Sequence, residues 1–481
     1  MDLRPILFVL GVLLIILAAT MMVPLAVDLL AGGGNWHAFL TSAVITAFVG
    51  GMFVLAERSS VQTITIRQAF LLTTGAWFGA CAFGALPFVF SELRLSYADA
   101  FFEATSGLTT TGSTVIVGLD AVPRSVLLWR SLLQWLGGIG IIIVGIAILP
   151  MLRIGGMQLF HTESSDRSEK AMPRARRVAE VICLVYVTLT LMCLFAYAAA
   201  GMTWFEAVNH AMTTISTGGY STSDSSMAYF RSAAVEWIGV VFMILGALPF
   251  MLYARALAGR WGALWESSQV WGLLGLLAGV IGATTVIVWR EVGVPFFDAL
   301  RLVAFNVISV VTTTGYATTD YGLWGGYAVG LFFLLTVIGG CTGSTSGGVK
   351  IFRFQVMFLV VRQQFVQLAH PLMVYRKLYD GRPLPPDVPT SVMAFGVLWV
   401  ACFGLLTFAL LTLGLDFVTS ASGTATALAN VGPGLGPIIG PAGNFATLPD
   451  AAKWLLSFVM LLGRLELFTI LVVLTPWFWR N

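Results

Sequence analysis

"VTTTGYATTD", residues 311–320, sets three threonines and a glycine between long apolar runs. Such a turn would break any helix crossing a membrane, and it is not alone. "LTTTGST" stands at 108–114, "ISTGGYST" at 215–222 and a degenerate copy, "ALANVGPGLG", at 427–436. Gly112, Gly218, Gly315 and Gly432 are then 106, 97 and 117 residues apart. Glu103, Asn209 and Asn306 each stand nine residues before their glycine, and Gly423 holds that place in the fourth copy. A repeat of about a hundred residues governs the reading of the whole chain.

Working outward, the 481 residues are 58% hydrophobic and only 10% charged, against about 25% charged in soluble domains. Runs of about 20 apolar residues, enough for a helix to cross a bilayer, recur from end to end. The ten-residue alternation of a membrane barrel is missing, so the fold class expected is an all-α polytopic membrane protein. About ten transmembrane helices are expected, at 6–28, 36–56, 68–90, 126–150, 178–200, 234–258, 269–289, 325–365 (interrupted), 391–415 and 452–478. Of 26 Lys and Arg, 18 fall on the side that carries Arg4, Arg58, Arg67, Arg153 to Arg177, Arg255 and Arg376, which makes that side and both termini cytoplasmic. The net charge of +3 gives no reason to expect nucleic acid. The five cysteines lie in apolar or Gly-rich surroundings and read as reduced, the four histidines have no metal-site spacing, and the first apolar run lacks a cleavage signal and reads as a retained span.

Four apolar segments are too short to cross: 98–110, 203–216, 296–312 and 416–429. Each ends at a glycine elbow on the outer side. The order is span, re-entrant helix, elbow, span, four times over, after a two-helix extension. The expected divisions are 1–60 for the extension, 61–160 for repeat 1, 161–177 for a solvated cytoplasmic linker, 178–262 for repeat 2, 263–370 for repeat 3 and 371–481 for repeat 4.

Non-helical backbone at membrane depth is tolerated only inside protein or beside a watery cavity. Four elbows around one axis would aim rings of carbonyls inward, and such rings can replace the hydration shell of a monovalent cation. The short helices would point their partially negative ends the same way. No Asp or Glu lies in an elbow, which disfavours a carboxylate ring for divalent ions. Asp224 and Asp320 follow their elbows and are expected at the outer mouth, where they could concentrate cations.

"SGLTTTGST", "TTISTGGYSTSD", "VVTTTGYATTDYG" and "LANVGPGLG", together with "GGCTGSTSGGVK" and "GRLELFT", resemble the membrane subunit of the Trk/Ktr/HKT superfamily of potassium transporters. Overall length and the two-helix extension are most similar to the TrkH/TrkG branch, and the likeness runs the length of the chain. It implies four M1–pore helix–M2 units around a single K⁺ pathway, a homodimer, a bacterial inner-membrane location and a cytosolic nucleotide-binding regulatory subunit of the TrkA type. No cofactor is implied; K⁺ is the transported ion. The implied filter residues are Thr110, Thr111 and Gly112; Ser216, Thr217 and Gly218; Thr313, Thr314 and Gly315; and Asn430, Val431 and Gly432. Thr110, Ser216, Thr313 and Asn430 are expected to share one layer at the inner end. Pro433 stands where potassium channels carry an aromatic residue. Gly112 favours K⁺, because Na⁺-favouring plant relatives carry serine there.

"GGCTGSTSGGVK", 339–350, interrupts the last span of repeat 3 with five glycines, each costing a helix about 1 kcal/mol. It is not a phosphate-binding loop, which needs Lys and Ser/Thr directly after the second glycine; here Val349 intervenes and Ile351 follows Lys350. A flexible kink is the plain reading. The resemblance implies a movable intramembrane gate built on Gly343, Ser344, Thr345, Ser346, Gly347 and Lys350. Arg464, in the middle of the last apolar run, is a charge costing at least about 2.5 kcal/mol there. The resemblance places it beside the loop at the narrowest point; a salt bridge elsewhere in the bundle is the alternative. Asp298 and Arg301 are expected to pair at i,i+3. Two other functions compete. An ion-coupled secondary transporter (a symporter with H⁺ or Na⁺) would favour inverted repeats, whereas these share one orientation. A hydrolase using Ser344 or Ser346 needs a base in reach, and no histidine falls in an inner span, so an enzyme is not expected.

Overall fold

The computed structural model describes residues 2–56, 65–147, 171–373 and 376–480. Residues 161–170 of the expected linker lie outside the described residues, as do Arg58, Arg153, Arg167 and Lys170; the helix Ala171–Ala199 takes up the linker's end.

Among the described residues seven helices are long and apolar enough to cross a membrane, and two bent pairs raise the number to nine. The interrupted span is found as Gly326–Val337 and Ile351–Ala369 on either side of the glycine loop. Two spans expected to be continuous are not. The run 234–258 breaks into Ala233–Ala247 and Phe250–Leu257, bent by 88°. Pro249 explains this, since it has no N–H to donate and disfavours helix in the residue before it. The run 452–478 breaks into Asp450–Arg464 and Phe468–Leu474, bent by 115°. Here neither proline nor glycine is responsible. Glu466 and Leu467 take positive φ values of 63° and 49°, and tertiary contacts described below hold them.

The four short helices run Tyr97–Leu108, Trp204–Ile215, Phe296–Val311 and Phe417–Ala429. Their starts are written locally. Ser96 and Asp416 accept backbone N–H groups of Asp99 and Thr419, Thr203 and Glu206 form a capping box, and Pro295 precedes the third. Asp99, Glu206 and Asp298 sit in first turns, where the helix dipole favours negative charge. Asp298 pairs with Arg301 at 3.1 Å, as the i,i+3 spacing predicts, and Arg301 also meets Glu236 at 3.5 Å.

Each short helix packs against the helix that follows it and the corresponding helix of the preceding unit. Tyr97–Leu108 lies between Arg124–Ala147 and Asp450–Arg464; Trp204–Ile215 between Ala233–Ala247 and Arg124–Ala147. Phe296–Val311 lies between Gly326–Val337 and Ala233–Ala247; Phe417–Ala429 between Asp450–Arg464 and Gly326–Val337. The order closes on itself. Glycines permit the approach: a β-carbon on Gly137 would lie 1.8 Å from the Leu108 carbonyl oxygen, and one on Gly463 2.1 Å from that of Leu428. The N-terminal helices Arg4–Leu30 and Trp36–Ala56 cross at Gly11 and Gly50, where a β-carbon on either would meet the other's carbonyl oxygen within 2.8 Å.

Candidate functional site

The four elbows converge at the centre of this ring. In each, one residue after the helix end turns into the left-handed region: Thr110 (φ 52°), Thr217 (φ 50°), Thr313 (φ 58°) and Asn430 (φ 53°). Two residues later comes a glycine, also with positive φ: Gly112 (90°), Gly219 (74°), Gly315 (80°) and Gly432 (115°). The hydrogen bonds agree. Thr110, Thr217, Thr313 and Asn430 each donate their N–H to the carbonyl three residues back.

This corrects the expected register of the second repeat by one residue. Its glycine is Gly219, not Gly218, and its left-handed residue is Thr217, not Ser216. Ser216 is the last-turn cap, equivalent to Thr109 and Thr312. The doublet Gly218-Gly219 offers two registers; φ and the hydrogen-bond ladder choose the second, in agreement with the Gly-Tyr-x-Thr shared by 219–222 and 315–318. The residue nine before this glycine is then His210 rather than Asn209.

The corrected register brings a closed ring into view. A β-carbon on Gly112 would lie 2.3 Å from the Gly218 carbonyl oxygen, and one on Gly219 would lie 1.9 Å from that of Thr314. One on Gly315 would lie 2.0 Å from the Val431 oxygen, and one on Gly432 2.7 Å from the Thr111 oxygen. Each glycine thus faces the residue preceding the glycine of the next elbow, and the fourth returns to the first. A side chain at any of the four would strike backbone, and the φ values already disfavour one.

Polar posts brace the elbows from behind. The Glu103 carboxylate accepts the Val115 N–H at 2.9 Å, the Thr114 hydroxyl at 3.0 Å and Arg130 Nε at 2.8 Å. His210 Nε2 lies 3.0 Å from Ser221 Oγ, and Asn306 meets Thr318 through both ends of its amide. Arg130 and Gln134 reach the second elbow from the helix Arg124–Ala147: Arg130 donates to the Ser221 carbonyl at 3.0 Å and Gln134 to that of Gly218 at 2.6 Å. The sequence gives no sign of these long-range bonds. Asp224 and Asp320, which follow their elbows, both accept backbone N–H groups. Asp224 accepts the N–H of Gly118 at 2.8 Å, and Asp320 that of Gly322 at 2.9 Å.

On the inner side the glycine loop lies directly against the elbows. Thr345 Oγ1 receives the Thr217 hydroxyl at 3.2 Å and lies 3.0 Å and 2.9 Å from the carbonyls of Ile215 and Gly246. The Gly347 N–H donates to Thr313 Oγ1 at 2.7 Å, and a β-carbon on Gly347 would lie 2.3 Å from the Ala429 oxygen. Gly343 accepts the Phe250 N–H at 2.9 Å, and Ser344 Oγ donates to the Cys341 carbonyl at 2.6 Å. Two of the four residues with left-handed backbone, Thr217 and Thr313, are therefore engaged by the loop. Thr110 Oγ1 and Asn430 Oδ1 are buried and find no hydrogen-bond partner among the described residues.

Arg464 lies beside the loop, the placement that the resemblance implies. Its Nη1 donates to the Thr345 carbonyl at 2.8 Å, while Nε and Nη2 find no hydrogen-bond partner among the described residues and the residue is 3% exposed. Lys350 Nζ donates to the Ser346 carbonyl. Glu466 pairs with Arg353, whose guanidinium also covers the Phe395 ring at 3.8 Å. That ion pair fixes the turn at Glu466 and Leu467. A cavity of about 30 Å³ between loop and broken helix is lined by Ser346, Gly347, Lys350, Gly463, Arg464 and Glu466, among others. It is large enough for a water molecule.

The profile of the TrkH family of cation transport proteins matches residues 36–297 and 294–477. The Trk system potassium uptake protein TrkI of Halomonas elongata is 50% identical over 480 residues, covering 99% of this chain and 97% of that one. The Trk system potassium uptake protein TrkH of Escherichia coli is 36% identical with both chains fully covered. The crystal structure of the potassium transporter TrkH from Vibrio parahaemolyticus superposes with a TM-score of 0.92 at 34% identity over the whole of both chains. The chain is a multi-pass membrane transport protein rather than an enzyme, and it belongs to the TrkH family of cation transport proteins.

Proposed function

We propose that the chain takes up potassium through one K⁺-selective pore, formed where the four elbows meet. The observation that carries this reading is the closed ring in which Gly112, Gly219, Gly315 and Gly432 each abut the carbonyl of the next elbow. Such close approach crowds backbone oxygens around one axis with no carboxylate among them, the chemistry that suits a dehydrated monovalent cation. The names of the relatives, potassium uptake proteins, support K⁺ as that cation. On this reading the chain is four M1–pore helix–M2 repeats, 61–160, 178–262, 263–370 and 371–481, behind the two-helix extension. The K⁺-binding layers comprise Thr110 to Gly112, Thr217 to Gly219, Thr313 to Gly315 and Asn430 to Gly432.

The loop Gly339–Lys350 is the gate in this proposal, and Arg464 its electrostatic partner. The loop's contacts with Thr217 and Thr313 and the Arg464 bond to Thr345 support a closed passage. Opening displaces the loop. A cytosolic nucleotide-binding subunit of the TrkA type would drive that displacement through Ile351–Ala369, which continues directly from the loop. Homodimerisation, an inner-membrane location and cytoplasmic termini belong to the same proposal, the last supported by the basic residues of the loops.

Purified protein in liposomes, with the membrane potential clamped, tests it. K⁺ or Rb⁺ flux should exceed Na⁺ flux, and Gly112→Ser should lower the ratio. A wild-type ratio in Gly112→Ser, Gly315→Ser and Gly432→Ser alike rejects the filter. Flux that requires a proton or Na⁺ gradient would favour coupled transport over a pore.

A further inference from the structure

Three of the four elbows carry a β-branched residue just before the glycine: Thr111, Thr314 and Val431. The second carries Gly218, so two glycines follow each other at the most closely packed point of the ring. Thr111 and Thr314 brace their own turns, with hydroxyls 2.7 Å and 2.9 Å from those of Thr109 and Thr312. Gly218 has no side chain to do so. Its place is filled from another unit. A β-carbon on Gly218 would lie 2.4 Å from Gln134 Cδ, 2.5 Å from Oε1 and 2.8 Å from Nε2. Gln134 is fully buried in the helix Arg124–Ala147. Its amide spans the doublet: Nε2 donates to the Gly218 carbonyl at 2.6 Å, and Oε1 accepts the Tyr220 N–H at 3.0 Å.

We infer that Gln134 is a specificity-determining residue, the side chain that repeat 2 lacks, supplied by the helix of repeat 1. The inference rests on reading the ring as a cation filter. A Gly-Gly peptide rotates more freely than any other, so the Gly218 carbonyl is the one member of its layer most in need of an anchor. Among the described residues, no protein donor is bonded to the corresponding carbonyls of Thr111, Thr314 and Val431, whose own side chains restrict them. Gln134 therefore holds one ring oxygen at its station. Loss of that hold lets the oxygen adapt to a smaller ion, and discrimination between K⁺ and Na⁺ falls. The trade is reciprocal: with glutamine present, position 218 must be glycine, and with glutamine truncated there is room for a side chain.

The test is the K⁺/Na⁺ flux ratio in liposomes, together with Rb⁺ affinity by calorimetry and the elution profile of each purified variant. Gln134→Glu keeps the acceptor for Tyr220 N–H and loses the donor to Gly218. Gln134→Leu loses both. Each should lower the flux ratio about fivefold or more, the factor set by a difference of about 1 kcal/mol. Gly218→Thr alone should lose folded protein or flux, and Gln134→Ala with Gly218→Thr should recover both. A wild-type ratio in folded Gln134→Glu overturns the inference, as does a double variant no better than Gly218→Thr alone. If Gln134→Leu does not fold, Gln134→Glu and the double variant decide. Thr313→Val, run in parallel, separates the two failures: weakened Rb⁺ binding there with unchanged Gln134 variants leaves the filter standing and removes only the role of Gln134.

Discussion

Replacing Thr345 by valine removes one hydroxyl from the centre of the loop with little change in shape. That hydroxyl meets the carbonyls of Ile215 and Gly246 and receives the Thr217 hydroxyl, all within 3.2 Å and all buried. Two hydrogen bonds are lost at about 1 kcal/mol net each, and a carbonyl left facing a methyl group adds a further cost of about 1 kcal/mol. The total is about 2–3 kcal/mol against the loop in place. With the loop displaced, water reaches the same carbonyls, so that state is spared. The equilibrium therefore shifts toward displacement by roughly 30- to 140-fold, at tenfold per 1.4 kcal/mol. The remaining anchors, Arg464 on the Thr345 carbonyl and Gly347 N–H on Thr313, keep the loop from being released outright. The assay is Rb⁺ uptake into liposomes without any cytosolic partner. Basal uptake should rise by one to two orders of magnitude, with an unchanged K⁺/Na⁺ ratio because the ring lies outside the loop. Wild-type basal uptake in well-folded Thr345→Val protein would refute the reasoning.

Other outcomes follow from the same contacts. Arg464→Ala should raise basal flux too, because a unit charge repels an approaching cation by several kcal/mol at an effective dielectric of about 20; liposome flux with an unchanged elution profile checks it. Thr313→Val should both weaken Rb⁺ binding by calorimetry and raise leak, since it removes a candidate ligand and the partner of the Gly347 N–H. Gly137→Ala should reduce the yield of folded protein rather than alter selectivity, because its β-carbon would sit 1.8 Å from the Leu108 oxygen; detergent elution profiles and flux per folded molecule distinguish the two.

The elbows were legible because threonine-glycine turns inside apolar runs have few physical explanations, and their starts were legible through caps such as Thr203 with Glu206. Arg464 was legible as an expensive charge. The register at Gly218-Gly219 was misread because two glycines offer two choices; the tyrosine that follows both Gly219 and Gly315 was the signal that decides it. The bend at Glu466 and Leu467 has no local signal, being held by Arg353 from 113 residues away. Gln134 was missed for the same reason: its partner Gly218 is 84 residues distant. Pro249 was a local signal that hydropathy alone overrode, because an apolar run of adequate length reads as continuous until the missing donor is counted.

The central claim is a cation site inside the ring, and anomalous diffraction from crystals soaked in Rb⁺ tests it most directly. A peak on the axis between the carbonyl oxygens of Thr111, Gly218, Thr314 and Val431, diminished when Na⁺ replaces Rb⁺, is the result expected. Rb⁺ density confined to some other cavity, with none between those four oxygens, would contradict it.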